Sequence, residues 1–430
     1  MRLVTAAEMR ELERRAFAGG VSEAQLMETA GTAVGHAAAE WLVSPQGCEL
    51  LTLVGRGNNG GDALIATRVL WQHYGARPRI CLVADRGDDP LLRWAREAGV
   101  PVVTFDAQHG GVLREWLAEA EVVLDGILGL GGRLPLRGAE ADVLQVCREV
   151  APAGQRRIAV DVPTGVQADT GQVDERAFDA GLTLATGPAK PGLFLHPGAA
   201  RAGRVRALDI GLSPEDGDTR TWRAESVEVA RLLPPRPDDS HKGTYGKLLV
   251  VAGSSRYVGA AHHAAAAAVG AGAGLVTLAV PAPVQQALAG RSAETTYLPL
   301  PDDPAAPGSF TPSHLEAILE AARGYDAVVL GPGIGSHPAT QQLVLQLTAR
   351  LAEDDASLPL LIDADGLNAL AAAPEWRRPA TATWVLTPHP GEMGRLMGTS
   401  TKEVLADRLS LARAAAGNWG QVVLLKGAPS

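Results

Sequence analysis

Short apolar or β-branched runs at residues 48–55, 79–84, 101–105, 121–125 and 156–161 alternate with helical patterns at 61–74, 111–120 and 139–150. This alternation constrains the fold most, because strands separated by helices pair in parallel and need helices on both faces of the sheet. Ahead of it, Leu12, Phe17, Leu26, Met27, Ala30 and Val34 recur at helical spacing, which predicts one or two leading helices over residues 5–42. Between Leu212 and His241 the composition turns polar and proline-rich, the mark of a boundary. A second alternation follows, with strands expected at 247–252, 274–280, 327–330, 358–362 and 383–387 and an alanine-rich helix at 259–270. The expected architecture is α/β with two doubly wound domains, residues 1–212 and 231–430, joined by a linker over 213–230.

Composition narrows the function. A chain of 430 residues, 46% apolar and 20% charged, is long enough for two cores. A net charge of −9 argues against nucleic-acid or anionic-membrane partners. The first fifteen residues carry Arg2, Glu8, Arg10, Glu11, Glu13, Arg14 and Arg15 and lack the apolar core of a signal peptide, so a cytoplasmic location is expected. Cys48, Cys81 and Cys147 lie in or beside apolar runs without C-x-x-C spacing and read as reduced core residues. Oligomeric state is left open.

The first alternation contains GRGNNGGD at residues 55–62, between an apolar run and an amphipathic stretch, hence a strand, a glycine turn and a helix start. Such a turn suits phosphate, since glycines let backbone N–H groups approach an anion and the helix N-terminus adds free donors. Gly55, Gly57 and Gly60 also spell G-x-G-x-x-G, and Asp85 ends the next apolar run, as a ribose-binding acid would in an NAD-dependent oxidoreductase. A turn serving chain geometry alone is the third reading. Asn58, Asn59 and Asp62 place amide and carboxylate groups beside the anion site, and a pure phosphate cradle needs none of them.

The longer string resembles the N-terminal domain of the NAD(P)H-hydrate epimerases. The resemblance continues in order through DGILGLGGRLP at 125–135, AVDVPTG at 159–165 and TGPAKPG at 186–192. In the second half, SHKGTYG (240–246), GPGIG (331–335), DADGLN (363–368), TPHPGE (387–392) and VVLLKG (422–427) together resemble the ADP-dependent NAD(P)H-hydrate dehydratases, relatives of the ribokinase-like kinases. The resemblance therefore implies a bifunctional nicotinamide-repair enzyme with a Rossmann-like epimerase domain and a ribokinase-like dehydratase domain. In that family the last of these loops leads into a glycine-rich stretch ending in an aspartate at a helix start. The sequence stops at Ser430, so the dehydratase half is expected to be incomplete and to turn over little or not at all.

The hydrated nicotinamide carries a hydroxyl at C6, and inverting that centre requires a group that moves protons beside the ring. The resemblance places substrate contacts on Asn58, Asn59, Gly60, Gly61, Asp62, on Gly129, Leu130, Gly131, Gly132, Arg133, Leu134, Pro135, and on Asp161. Asp161 is the first choice of acid-base group, with Lys190 as a supporting charge; capping the turn through Pro163 and Gly165 is its structural alternative. A potassium ion is implied at Asn59, Asp125 and Thr164, whose oxygen-bearing side chains suit a hard cation; backbone hydrogen bonding is the alternative for Asn59 and Thr164. For the second half the carried-over contacts are Ala260, Gly333 and His389 for the hydrated ring and Lys426, Gly427, Ala428, Pro429 and Ser430 for ADP. Asp363 and Asp365 either hold Mg2+ through water or cap the following helix, with the cap favoured. Besides the NAD-dependent oxidoreductase, a nonenzymatic module that binds NAD(P) derivatives is the other competing class.

Overall fold

The computed structural model describes residues 1–106, 110–213, 215, 220–291, 293–373, 384–428 and 430. The chain divides between Leu233 and Pro234 into two compact units, each built on its own parallel sheet.

The first unit opens with β1 (Arg2–Leu3), α1 (Ala6–Ala18) and α2 (Glu23–Trp41). Both helices start at capping boxes, Thr5 with Glu8 and Ser22 with Gln25, which satisfy donors that a helix start leaves unpaired. Then come β2 (Glu49–Val54), α3 (Asn58–Tyr74), β3 (Arg77–Leu82), β4 (Val102–Thr104), β5 (Val122–Gly126), β6 (Arg156–Val160), β7 (Leu182–Thr186) and β8 (Arg204–Leu208). The sheet order is β4-β3-β2-β5-β6-β7-β8, all parallel. Strands β7 and β8 extend the sheet past the expected set. The chain builds outward from β2 to β4 and then returns to β5, so the order reverses between β2 and β5, where a crevice opens at the strands' carboxyl ends.

One face of this sheet packs Leu50, Leu124, Ile158 and Leu184 against Met9 and Leu12 of α1, Val34 of α2 and Leu70 of α3. The other packs Leu51, Leu53, Val123 and Ala159 under Leu113, Leu117, Val143 and Leu144. Helices α2 and α3 touch closely because Gly31 and Gly35 lack side chains. A Cβ on Gly31 would fall 2.5 Å from Ile65 Cβ, and one on Gly35 2.7 Å from Val69 Cβ. Gly31→Val is therefore expected to lower stability by about 1–3 kcal/mol through overpacking, read as an earlier thermal unfolding transition; an unchanged transition would show that the helices can separate without loss.

The segment expected as a linker is partly structured. Thr221–Trp222 forms β9, antiparallel to β1 and reinforced by the Arg223 N–H to the Met1 carbonyl at 2.9 Å, and a short helix follows over Ser226–Leu232. The reason is local pairing: β1 offers a free edge, and the buried Thr221 closes it.

The second unit contains β10 (Lys247–Val251), β11 (Leu275–Pro281), β12 (Thr295–Leu300), β13 (Ala327–Leu330), β14 (Leu360–Ile362), β15 (Trp384–Leu386) and β16 (Val422–Val423). Their order is β12-β11-β10-β13-β14-β15-β16, again all parallel, with the reversal between β10 and β13. The expected strand over 383–387 is described from Trp384; residue 383 lies outside the described residues. Leu249, Val251, Leu330, Ile362 and Leu386 form the center of one large apolar core. Among the described residues no helix is long and apolar enough to cross a membrane.

Candidate active site

In the first unit the loops after β2, β5, β6 and β7 meet at the crevice. The glycines of GRGNNGGD serve mainly close packing. A Cβ on Gly55 would lie 1.8 Å from the Ile127 carbonyl oxygen, one on Gly60 2.2 Å from the Gly55 carbonyl, and one on Gly61 2.5 Å from Met27 Sδ. Only Gly57 of these faces open space, at the N-cap of α3 with no side-chain cap. The phosphate-cradle reading thus narrows to Gly57 and the first turn of α3. Arg86, which no sequence signal singled out, donates from Nη1 to the carbonyls of Gly55 at 2.5 Å and Gly57 at 3.2 Å and pairs with Asp89 at 2.6 Å. Asp85 is exposed, and its carboxylate accepts the Gly87 N–H of its own turn at 2.9 Å.

Asp161 follows β6 with φ +65°, one of the two non-glycine residues in the left-handed region among the described residues. Such a conformation persists only where the surroundings impose it, and here the Asp161 N–H is held by the Leu184 carbonyl at 2.8 Å. Its Oδ1 accepts from Lys190 Nζ at 2.5 Å and from Thr186 Oγ1 at 3.1 Å. Asp161 is 5% exposed and Lys190 0%, so this is a buried ion pair, and the carboxylate caps no N–H group of the Pro163–Gly165 turn. The Cβ position of Gly129 lies 3.3 Å from Asp161 Oδ2 and 3.1 Å from Asn59 Oδ1, so a side chain there would crowd both.

A cavity of about 300 Å³ is lined by Asn58, Asn59, Asp62, Gly129, Leu130, Gly131, Asp161 and Thr186, with Met9, Arg10 and Glu13 from α1. The DGILGLGGRLP loop is divided: Arg133, Leu134 and Pro135 line a separate cavity of about 400 Å³ with Arg137 and Glu140, and neither cavity's lining includes Gly132. Glu13 had no distinguishing mark in the sequence, because a charged residue on an amphipathic helix reads as solvated; Thr186 heads the TGPAKPG motif and was within reach. Asn58 Nδ2 donates to Glu23 at 2.8 Å, tying the loop to α2. Asp62 is buried at 8% exposure, and burial, then the nearby charges of Asp161 and Glu13, push its carboxyl well above the usual range, against the opposing pull of Lys190.

Asp125 is fully buried. Burial raises its carboxyl to about 6, opposed by hydrogen bonds from the Thr164 N–H at 2.8 Å, the Thr164 hydroxyl at 2.7 Å and the Ile127 N–H at 3.1 Å. Thr164 Oγ1 also accepts the Leu128 N–H at 3.0 Å, and Asn59 Nδ2 is buried with no partner. The Asp125 carboxylate, the Thr164 hydroxyl and the Asn59 amide oxygen are hard oxygen donors of the kind a potassium ion takes, although the charge of Arg157 already acts on Asp125 and the unpartnered Asn59 Nδ2 is a donor that ligates no cation.

In the second unit the corresponding loops also join. Lys426 Nζ lies 2.6 Å from Asp363 Oδ1, which also accepts the Thr387 hydroxyl at 2.8 Å, and Glu392 is 4.0 Å from the same ammonium. His389 caps the helix Pro390–Met397, with Nδ1 accepting the Gly391 N–H at 3.0 Å, while its N–H donates to Glu392 at 2.8 Å. Ala260 and Gly333 are adjacent, a Cβ on the latter falling 2.5 Å from Ala260 Cβ. Gly427 and Ser430 form a closed turn, with the Gly427 N–H to Ser430 Oγ at 3.2 Å; Ala428 is in the same turn region, and Pro429 lies outside the described residues. The favoured cap reading of Asp363 and Asp365 is corrected: the helix Asp365–Ala371 has no side-chain cap, and Asp365 Oδ2 instead accepts the Gly335 N–H at 2.9 Å, pinning the GPGIG loop. With Lys426 neutralising Asp363, this carboxylate pair does not fit a magnesium site either. Among the described residues no group of three His, Cys, Asp or Glu is placed to hold a metal.

The sequence matches known proteins along both units. A family model described as YjeF-related protein N-terminus covers residues 23–192, and one described as NAD(P)H-hydrate dehydratase covers residues 248–430. The bifunctional NAD(P)H-hydrate repair enzyme Nnr of Moorella thermoacetica is 36% identical over 439 residues, spanning 100% of this chain and 81% of that protein. The chain belongs to the bifunctional NAD(P)H-hydrate repair enzymes. The Thermofilum pendens member is likewise 36% identical over 436 residues, covering 100% of this chain and 80% of its own length. A solved structure of the ADP/ATP-dependent NAD(P)H-hydrate dehydratase of Bacillus subtilis, co-crystallised with ATP and Mg2+, is 28% identical over 47% of this chain and 65% of that one, with a TM-score of 0.36. Membership in this repair family absorbs the motifs of both units, which the oxidoreductase reading left unexplained.

Proposed function

We propose that the first unit interconverts the R and S epimers of NAD(P)H hydrate and that the second dehydrates the S epimer to NAD(P)H using ADP. The observation that carries the epimerase reading is the buried carboxylate of Asp161, held by Lys190 and Thr186 in the same cavity as Asn58, Asn59 and Asp62. In this reading Asp161 exchanges protons with the C6 substituent, and the open Gly57 end of α3 offers backbone donors to the substrate's phosphates, a reading supported by the cavity that both share. Asn59, Asp125 and Thr164 would hold potassium, whose charge supplies a fixed positive centre beside the anionic substrate. For the dehydratase, Ala260, Gly333 and His389 would contact the hydrated ring, and residues 426–430 the nucleotide. Mg2+ is proposed to arrive with the nucleotide's phosphates.

The test supplies the purified protein with the R epimer of NADPH hydrate and follows its conversion to S by chromatography. Conversion well above the spontaneous rate is expected, and a rate equal to the spontaneous one sinks the epimerase reading. Binding without conversion favours the nonenzymatic class. A second expected result concerns the cation: Thr164→Val removes one oxygen donor and one hydrogen bond to Asp125. Its epimerisation should then need a higher potassium concentration for half-maximal rate, while the same half-maximal concentration as the unsubstituted protein would remove Thr164 from the cation site.

A further inference from the structure

The cavity holds more acid than the reading above uses. Asp62 projects from the second turn of α3 into it, nine-tenths buried, and among the described residues its carboxyl has no hydrogen-bond or ion-pair partner. Its oxygens open on the cavity, where a ligand or water can meet them, and not on a protein partner. The charges around it come from every neighbouring element: Arg10 and Glu13 on α1, Glu23 on α2, Asp161 after β6 and Lys190 after β7. Lys190 is already committed to Asp161 at 2.5 Å. Asp62 is therefore left in the cavity beside the charges of Asp161 and Glu13 with no cation of its own, and burial and those charges favour its protonated form.

Resting on the epimerase reading, we propose that Asp62 is the catalytic proton donor of the epimerisation and that Asp161 is its proton acceptor. Asp62 gives its proton to the C6 hydroxyl oxygen. The C6–O bond breaks with its electron pair leaving on oxygen as water, and the N1 lone pair forms the N1=C6 iminium bond. A water on the opposite face then adds to C6, returning that electron pair to N1, and gives up one proton to Asp161. Proton return from Asp161 to Asp62 through solvent restores the start, so the reaction consumes and releases one water and leaves both carboxyls as they began. Two carboxyls of opposite protonation in one pocket are what such a sequence needs.

The experiment compares the full chain with Asp62→Asn, measuring kcat and KM for R-to-S conversion, oxygen-18 uptake from labelled water into the product hydroxyl, and thermal unfolding. An amide there cannot donate a carboxyl proton, yet it keeps the size and neutrality of the protonated acid. The expected result is a kcat lower by about 10²-fold or more, KM little changed, oxygen-18 uptake falling in step, and an unfolding temperature equal to or above that of the unsubstituted protein. A kcat within about tenfold of the unsubstituted protein overturns the assignment, and so does a lowered unfolding temperature or raised KM with kcat preserved, which marks a structural role. Conversion without oxygen-18 uptake in the unsubstituted protein overturns the C6–O cleavage step. If the unsubstituted protein does not epimerise at all, the epimerase reading itself fails, an outcome distinct from the others.

Discussion

Asp161→Asn is expected to cut R-to-S epimerisation by about 10²–10⁴-fold, the span that a positioned general acid or base contributes. The expectation rests on how the residue is held. Its backbone is locked at φ +65°, its Oδ1 is fixed by Lys190 and Thr186, and its Oδ2 accepts no hydrogen bond among the described residues and lies beside the Gly129 and Asn59 wall of the cavity. One oxygen anchors the carboxylate and the other is left for the reaction. Asparagine keeps the shape and one acceptor oxygen but has no proton to exchange, so it removes chemistry with little change in packing. Chromatography of the two epimers reads the rate, and an unfolding transition on the same sample separates lost chemistry from a lost fold. A rate within about tenfold of the unsubstituted protein would remove Asp161 from the proton path and leave it as the anchor of a strained turn.

Much of this was legible in the sequence, for a physical reason. Parallel strands buried on both faces are continuous apolar runs, so Glu49–Val54, Val122–Gly126 and Leu360–Ile362 stand out, whereas the edge strand Arg204–Leu208 alternates arginine with apolar residues and resembles a loop, and Leu182–Thr186 and Thr295–Leu300, whose threonines break the apolar run, were not expected. Motifs at strand ends were legible too, because a switch point gathers the loops of strands far apart in sequence. What stayed hidden is partner choice. DADGLN reads as a helix start with caps, yet Asp363 takes Lys426 from the loop after β16, some sixty residues away, and Asp365 takes the Gly335 N–H. The glycines of the opening loop announce a phosphate turn, while most of them are glycine because Ile127, Met27 and their own carbonyls leave no room for a Cβ. Glu13 and Arg86 carried no signal, since a charge is conspicuous only once its surroundings are known to be dry.

Lys190→Met is expected to destabilise the first unit by about 3–5 kcal/mol, since it strands Asp161 as a buried charge without its partner. For a unit of this size that corresponds to a fall of roughly 6–20 °C in its unfolding temperature. The size of the effect does not measure what the ion pair contributes. Much of the Coulomb gain of a buried pair is offset by desolvation, so the double substitution Lys190→Met with Asp161→Leu should recover most of the lost stability while remaining inactive as an epimerase. Calorimetry on the two single variants and the double variant gives the coupling directly. Strong coupling with no activity in the double variant means the pair is retained to hold a reactive carboxylate, because an apolar pair would fold as well. If Lys190→Met instead unfolds at the same temperature as the unsubstituted protein, the fold does not depend on the pair, and the lysine's role is confined to holding Asp161 Oδ1. Where the transition falls as expected, the function of the site depends on a charge that the fold tolerates only as half of a pair.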